Sequence, residues 1–410
     1  MDNRGELEQS LRKKLAKAAL EQLTNKKSHT DKTSNWAEAA VNSGPEFEEF
    51  NQDLSNTKLS TKLIAYYLPQ FHPFKENNEW WGQGFTEWRN SSSAKPRFTG
   101  HLQPHLPLDL GYYDLRLIDI MRQQAQMAQH AGIHAWCFYH YCFAGKRVME
   151  VPVNNFLNNP DVDMPFCLMW ANENWARTWE GKHNDILIRQ NYDAKYDDAL
   201  INDLARHFQD PRYLTINDKP IYFIYRPSLI PNAQKRIDEW RNLLIKRHNI
   251  DVSFFMALTY DDKDPRPYGL DGAIEFPPHN NFKHLPSAND SLKNVDPNFS
   301  GQMRRYDDLV VQNICQKKTD FDLIKCVLPA WDNEPRRTNR GYGFINSNPE
   351  KYQIWLSEAI RYAKENPVQG ESIVGINAWN EWAEGAHLEP DVHYGSAYLN
   401  ATARALLENS

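Results

Sequence analysis

Several absences narrow the reading before any residue is interpreted. The chain has no CxxC and no HExxH spacing, so neither a cysteine-based zinc site nor a zinc-peptidase helix is indicated. No GxGxxG follows the first apolar run, which removes the main mark of a dinucleotide fold. No stretch approaches the roughly 20 apolar residues needed to span a bilayer, and the opening "MDNRGELEQSLRKKLAKAALEQLTNKK" holds no apolar segment of signal-peptide length. A cytoplasmic protein is therefore expected. A net charge of -6, with basic residues scattered along the chain, leaves no footprint for nucleic acid. The five cysteines (Cys137, Cys142, Cys167, Cys315 and Cys326) are odd in number and three lie inside apolar runs, so buried reduced thiols are expected, not a disulfide framework. Neither a metal nor a cofactor is expected.

What the chain has instead is aromatic residues beside polar ones. Aromatics make up 12% of the sequence, with 13 Trp and 19 Tyr, and many of the Trp fall outside apolar runs. An aromatic face covers the C–H face of a pyranose while neighbouring polar groups take its hydroxyls, so this pairing suits a sugar surface. Core packing is the alternative use for about half of the Trp.

At 410 residues the chain exceeds a domain of roughly 100 to 200 residues but suits one α/β barrel with an appendage. Residues 1–57 read as an N-terminal helix and linker. In that helix Leu7, Leu11, Leu15, Ala18 and Ala19 recur at helical spacing, giving a surface helix or one that contacts another domain or protein. From residue 58 to 410, eight short apolar runs rich in β-branched and aromatic residues alternate with helix-period segments: 62–70, 133–141, 165–173, 220–227, 252–260, 272–278, 326–333 and 372–382. One such helical segment carries Leu117, Ile118, Met121, Ala125 and Ala128 on one face, with Gly132 as its stop. Strands apolar on both faces and separated by helices predict a parallel (β/α)8 TIM barrel.

The active site of such a barrel lies at the C-terminal ends of its strands. The first run leads to Gln70, His72, Trp81, Glu87 and Trp88, the second to Tyr139 and His140, and the third to Trp170, Asn172, Glu173, Trp175 and Arg177. The fourth to seventh end near Tyr225, Tyr260, Glu275, His279 and Trp331, and the eighth in "INAWNEWAEGAHLEPD". Each strand end delivers a carboxylate, aromatic, His or Arg to one rim, which suits a polysaccharide or oligosaccharide substrate. Of these, Tyr67, Gln70, His72, Trp81, Glu87, Trp88, Tyr139, His140, Trp170, Asn172, Glu173, Trp175, Trp331, Trp379 and Asn380 are assigned to substrate binding.

Glycosidic chemistry needs an acid for the leaving oxygen and a second carboxylate as nucleophile or base. Glu381 and Glu384 are three apart, so on a helical turn both would reach one bond. Crowding should keep one of them protonated near neutral pH while the other stays ionised. A solvated, acid-rich helix turn is the alternative for the pair. Glu389 fits a loop or a structural ion pair better than the reacting bond.

With "AYYLPQFHPFKENNEWWGQGFTEW", "PHLPLDLGYYDLR", "GIHAWCFYHYCF", "MWANENWARTW" and "NAWNEWAEGAHLEPD" the sequence resembles the WbsX-type, glycoside hydrolase family 99-like group from about Lys62 to Tyr398. That resemblance implies a (β/α)8 barrel acting on carbohydrate, in a group often found among bacterial surface-polysaccharide and O-antigen genes and frequently labelled as glycosyltransferases. The related family 99 enzymes are retaining endo-α-mannosidases and mannanases that use no metal. By the resemblance, Glu381 matches the base that deprotonates the sugar 2-hydroxyl to give a 1,2-anhydro sugar, and Glu384 the acid that protonates the leaving oxygen. Three functions stay open at this level: a hydrolase of mannose- or rhamnose-like α-linkages, a transferase of O-antigen or capsule assembly, and a non-catalytic glycan-binding barrel. The transferase would need a diphosphate site, for which Asp261 to Asp264 ("DDKD") is the one weak candidate.

Overall fold

The computed structural model describes residues 13–14, 16–23, 36–176 and 186–410. Eight strands form a closed parallel ring: β1 (Lys62–Tyr67), β2 (Ile133–His140), β3 (Phe166–Trp170), β4 (Lys219–Ile224), β5 (Ser253–Leu258), β6 (Gly272–Glu275), β7 (Leu323–Val327) and β8 (Ile373–Ile376). β1 pairs with both β8 and β2, and β4 with β5, so the ring closes without an edge, as the eight apolar runs indicate. A short antiparallel strand, Thr215–Ile216, adds to β4 outside the ring. The five cysteines are free thiols.

Nearly every strand residue is buried, because one face fills the barrel interior and the other lies under helices. Alternation along the pleat decides which face a side chain takes. Tyr66 points inward and crosses the barrel, its hydroxyl donating to the Glu275 carbonyl at 2.9 Å. Tyr67 points outward, its hydroxyl donating to Gln124 at 2.6 Å.

Helices cover the outside: α1 (Ile118–His130), α2 (Glu150–Asn158), α3 (Asp197–Phe208), α4 (Ala233–His248), α5 (Tyr306–Ile314), α6 (Pro349–Glu365) and α7 (Ala397–Glu408). Between β5 and β6 only a 3-10 turn, Arg266–Tyr268, intervenes. On α1 Met121, Ala125 and Ala128 are buried, whereas Leu117 caps the helix and is exposed, a correction to the face read from the sequence. Gly132 turns the chain into β2 at φ +81°, and a Cβ there would meet Leu406 Cδ1 at 2.5 Å.

The lead-in before β1 is tied down more firmly than a linker. Gly44 N–H donates to the His393 carbonyl at 2.8 Å, Ser396 N–H to the Glu48 carbonyl at 2.7 Å, and Glu48 pairs with Arg404 at 2.9 Å. Leu54 is buried in the main core. In the N-terminal helix Leu20 packs into that same core, so its described part is a piece of the barrel's exterior and not a free surface helix. Leu7, Leu11 and Leu15 lie outside the described residues, as does Arg177.

Candidate active site

After β8 the chain passes through a cis peptide between Asn377 and Ala378 and folds into a two-residue hairpin, Asn380–Glu381 against Ala386–His387. Its tip is a 3-10 turn, Trp382–Glu384, closed by Gly385 at φ +58°. The Asn380 side chain holds both backbone groups of Leu68, accepting from its N–H at 2.7 Å and donating to its carbonyl at 3.1 Å. Asp332 N–H donates to the Glu384 carbonyl at 2.7 Å, fixing the tip to the loop after β7. The hairpin thus sits rigidly between the ends of β1 and β7.

Glu381 and Glu384 do not meet each other directly as a bare pair; they share a guanidinium. Arg336 donates through Nη2 to Glu381 at 2.8 Å, through Nη1 to Glu384 at 2.5 Å, and through Nε to Glu87 at 3.1 Å. One planar cation therefore organises three carboxylates from the loops after β1 and β8, a geometry that a lysine ammonium would not reproduce. Glu87 is fully enclosed, the Glu381 side chain 7% exposed, and that of Glu384 23% exposed. Glu384 is therefore the member best placed to exchange a proton with substrate or water. It also accepts from Trp331 Nε1 at 3.1 Å.

Burial pushes the Glu381 carboxyl up to about 8; Arg336 opposes the rise, and Glu384 and Glu87 add to it. Glu87 is raised from the ordinary carboxylate range too, by burial against the opposing pull of Arg336. With three carboxylates and one cation in a nearly dry site, a retained proton relieves the repulsion.

The pair opens into a cleft of about 590 Å³ at the C-terminal end of the barrel. Of the residues assigned to substrate from the sequence, Gln70, Tyr139, Glu173, Trp175 and Trp331 line it together with Glu381 and Glu384. The Gln70 amide nitrogen has no hydrogen-bond partner among the described residues, and Trp175 stacks on Tyr141 with ring centroids 5.4 Å apart. Glu173 is anchored by Arg226 at 2.7 Å, and burial raises its pKa against the pull of that cation.

The other assigned residues are placed elsewhere, and pleat alternation accounts for three of them. Tyr67, His140 and Trp170 face outward from their strands. His140 bonds Asp203 and Tyr222, each at 2.9 Å, and Trp170 donates to the Cys142 carbonyl at 3.0 Å and packs on Trp240. Trp379 is enclosed near Trp136, and Asn380 serves the backbone of Leu68. Asn172 is buried and bonds both the N–H and the carbonyl of Arg226. His72 is buried beside Phe74, Trp81 packs near Phe85, and Trp88 donates to the Tyr113 carbonyl at 2.7 Å. Glu87 lies behind Arg336, so it orients that side chain and does not line the cleft.

Arg336 itself escaped the sequence reading. It stands in "NEPRRTNRGYG" after β7, where nothing in the spacing says which of three arginines turns inward. Tyr141, Phe282 and Tyr342 also line the cleft without having been assigned. In "DDKD", Asp262 accepts from Ser228 at 2.8 Å and Tyr268 at 2.7 Å, and Asp264 pairs with Arg266. Both carboxylates are thus engaged by protein donors.

Glu389 forms no ion pair among the described residues, contrary to one expectation. It is buried and accepts from Trp382 Nε1 at 2.6 Å, Tyr113 at 2.9 Å and Gln124 at 2.6 Å. Burial pushes it up to about 7, with those donors opposing. Since the folded pKa lies above the unfolded value near 4.5, its contribution to stability is complete below pH 4.5 and lost as pH rises through 7. Over that window the loss is on the order of 3 kcal/mol. Urea midpoints from pH 4.5 to 8 should decline less steeply in Glu389→Gln than in wild type, where Glu381 and Glu389 both contribute; equal slopes would refute the assignment.

Comparison with known proteins agrees with this architecture. Residues 63–402 match the family described as Glycosyltransferase WbsX. Two curated relatives, both described as uncharacterized protein WxcX, from two strains of Xanthomonas campestris pv. campestris, are 44% identical over 348 residues. That match takes in 85% of this chain and 50% of theirs, so the chain spans about half the length of the curated relatives it matches. Among solved structures, a GH99 endo-alpha-mannosidase from Bacteroides thetaiotaomicron superposes with a TM-score of 0.53 at 16% identity, over 86% of this chain and 98% of that one. A glycoside hydrolase-like protein gives 0.53 at 16% identity, over 88% and 98%. At such identity the likeness is one of fold.

Proposed function

The chain belongs to the WbsX family, and from that premise we propose that it is a retaining glycoside hydrolase that cleaves α-linked mannose- or rhamnose-configured bonds in a bacterial surface polysaccharide. Family and fold together suggest a glycan-active enzyme. The observation that carries the hydrolase reading is the Arg336-bridged pair Glu381 and Glu384 on the wall of an aromatic cleft.

In the proposed reaction Glu381 takes the proton of the 2-hydroxyl, and the freed oxygen attacks C1 as the glycosidic bond breaks. Glu384 gives its proton to the leaving oxygen. The 1,2-anhydro sugar is then opened by water, whose proton goes to Glu384 while Glu381 returns its own to O2. Two displacements at C1 give overall retention. An alkoxide-forming hydroxyl is a weak acid, so a base raised to about 8 takes its proton more readily than an ordinary carboxylate. Arg336 keeps both acids oriented, and the stacked Tyr141 and Trp175 offer a face to a pyranose ring.

Because the base must be ionised and the acid protonated, kcat/KM should follow a bell-shaped pH profile whose rising limb reports ionisation of Glu381, raised to about 8. A profile flat from pH 6 to 9 would remove Glu381 from that role. The primary test is incubation with mannan, rhamnan and O-antigen panels, comparing wild type with Glu384→Gln. Absence of oligosaccharide release from every glycan, or equal release by the variant, sinks the hydrolase.

The family description favours a second reading, transfer of a sugar in O-antigen or capsule assembly. Lys283 and Arg337 line the cleft and supply cationic groups that would suit a diphosphate. Nucleotide release coupled to glycan extension in parallel assays with nucleotide sugars would decide for it. A non-catalytic glycan-binding barrel would bind the panel and leave every glycan intact.

A further inference from the structure

Behind the catalytic hairpin lies a second cavity, of about 270 Å³, into whose wall His105, His387 and Asp391 converge. None of the three enters the proposed glycoside chemistry. His387 Nδ1 lies 2.9 Å from the Glu389 carbonyl, which can only accept, so Nδ1 carries the proton and Nε2 presents a lone pair. Its ring is held flat against Trp382, with centroids 3.8 Å apart and 14° between planes. Asp391 uses Oδ1 to accept the Tyr394 N–H at 2.6 Å, leaving Oδ2 turned toward the imidazoles.

His387 Nε2 and His105 Nδ1 are 3.1 Å apart, and Asp391 Oδ2 stands 3.6 Å from the first and 3.7 Å from the second. A point equidistant from three atoms so spaced lies about 2.0 Å from each, which is the zinc–nitrogen and zinc–oxygen bond length. We infer that His105, His387 and Asp391 form a binding site for a divalent transition-metal ion of the zinc class.

Two imidazoles and one carboxylate favour such an ion over magnesium or calcium. Its fourth position faces the cavity, which holds room for water and is bordered by Tyr398, whose buried hydroxyl has no partner among the described residues. Binding requires His105 to carry its proton on Nε2 and present the Nδ1 lone pair, a change of tautomer with no net loss of a proton. The ion would clasp the loop after β1 to the hairpin that carries Glu381, two segments 282 residues apart at the His105–His387 contact.

The test is titration of the chelator-stripped chain with Zn2+, followed by calorimetry and thermal melting. One ion per chain with micromolar or tighter affinity is expected, with a rise in Tm of a few degrees at excess zinc. His105→Ala, at the cavity edge, and Asp391→Asn, which keeps an acceptor for Tyr394, should each weaken binding at least about tenfold and lose the Tm rise. X-ray absorption on zinc-loaded wild type should show two imidazoles among the ligands, a readout that needs no variant to fold. No stoichiometric binding, undiminished affinity in both variants, or an oxygen-only shell as at the Glu381–Glu384 cluster overturns the site.

Discussion

Replacing Arg336 by methionine is expected to cost about 3–5 kcal/mol of stability and to abolish turnover. The guanidinium is the shared partner of Glu87, Glu381 and Glu384, and its removal leaves two enclosed carboxylates and a partly exposed one without their cation. They can respond only by taking up protons or by admitting water, and either response spoils the geometry of the hairpin tip. Arg336→Lys should recover little, because one ammonium cannot hold three carboxylates in a plane. Glu87→Gln in the Arg336→Met background should restore part of the stability, since it removes one like charge without touching Glu381 or Glu384. Urea denaturation of the four proteins forms a double-mutant cycle that reads this coupling. A single variant within about 1 kcal/mol of wild type would mean that the bridge behaves like an exposed ion pair and organises nothing.

The second large effect separates the two proposed roles. Glu381→Gln and Glu384→Gln should each lower kcat/KM on a natural glycan by about 10²- to 10⁴-fold. On an aryl glycoside whose phenolate leaves unaided, the Glu384 variant should recover most of its first-step rate, because no proton is then needed by the departing oxygen. The Glu381 variant should recover nothing, since the 2-hydroxyl must still be deprotonated whatever leaves. A 2-deoxy or 2-O-methyl substrate should likewise resist wild type. Recovery by Glu381→Gln and not by Glu384→Gln would exchange the roles; recovery by neither would point away from acid-assisted cleavage. The greater exposure of Glu384 favours it as the group that reaches the leaving oxygen.

The barrel was legible because its signal is repetitive: eight apolar runs, each turning polar at its end, admit few other architectures. The hairpin acids were legible because sequence neighbours stay neighbours across one tight turn. What failed was parity along the strands. Tyr67, His140 and Trp170 stand at strand ends and carry suitable chemistry, yet the pleat turns them to the helical side while Tyr66, Tyr139 and Met169 face in. A run apolar on both faces gives no alternation by which to tell the two sets apart. Arg336 failed for a different reason, since its position is set by folding of a long loop after β7 over partners 249 and 45 residues away. The His105, His387 and Asp391 cluster was hidden likewise: two members share a short segment, and the third comes from the other end of the barrel's strand order.

The strap formed by residues 44–54 bears on timing. Glu48 meets Ser396, Asn400 and Arg404 across as many as 356 residues, and Leu54 packs where α1 passes into β2. On the ribosome, these partners are made some tens of seconds after the strap at usual elongation rates. Until then the strap's anchoring groups face solvent or a chaperone, and the ring of strands lacks the helix that covers Gly132 and Leu54. Residues 44–54 should therefore gain protease resistance only once α7 has folded against them.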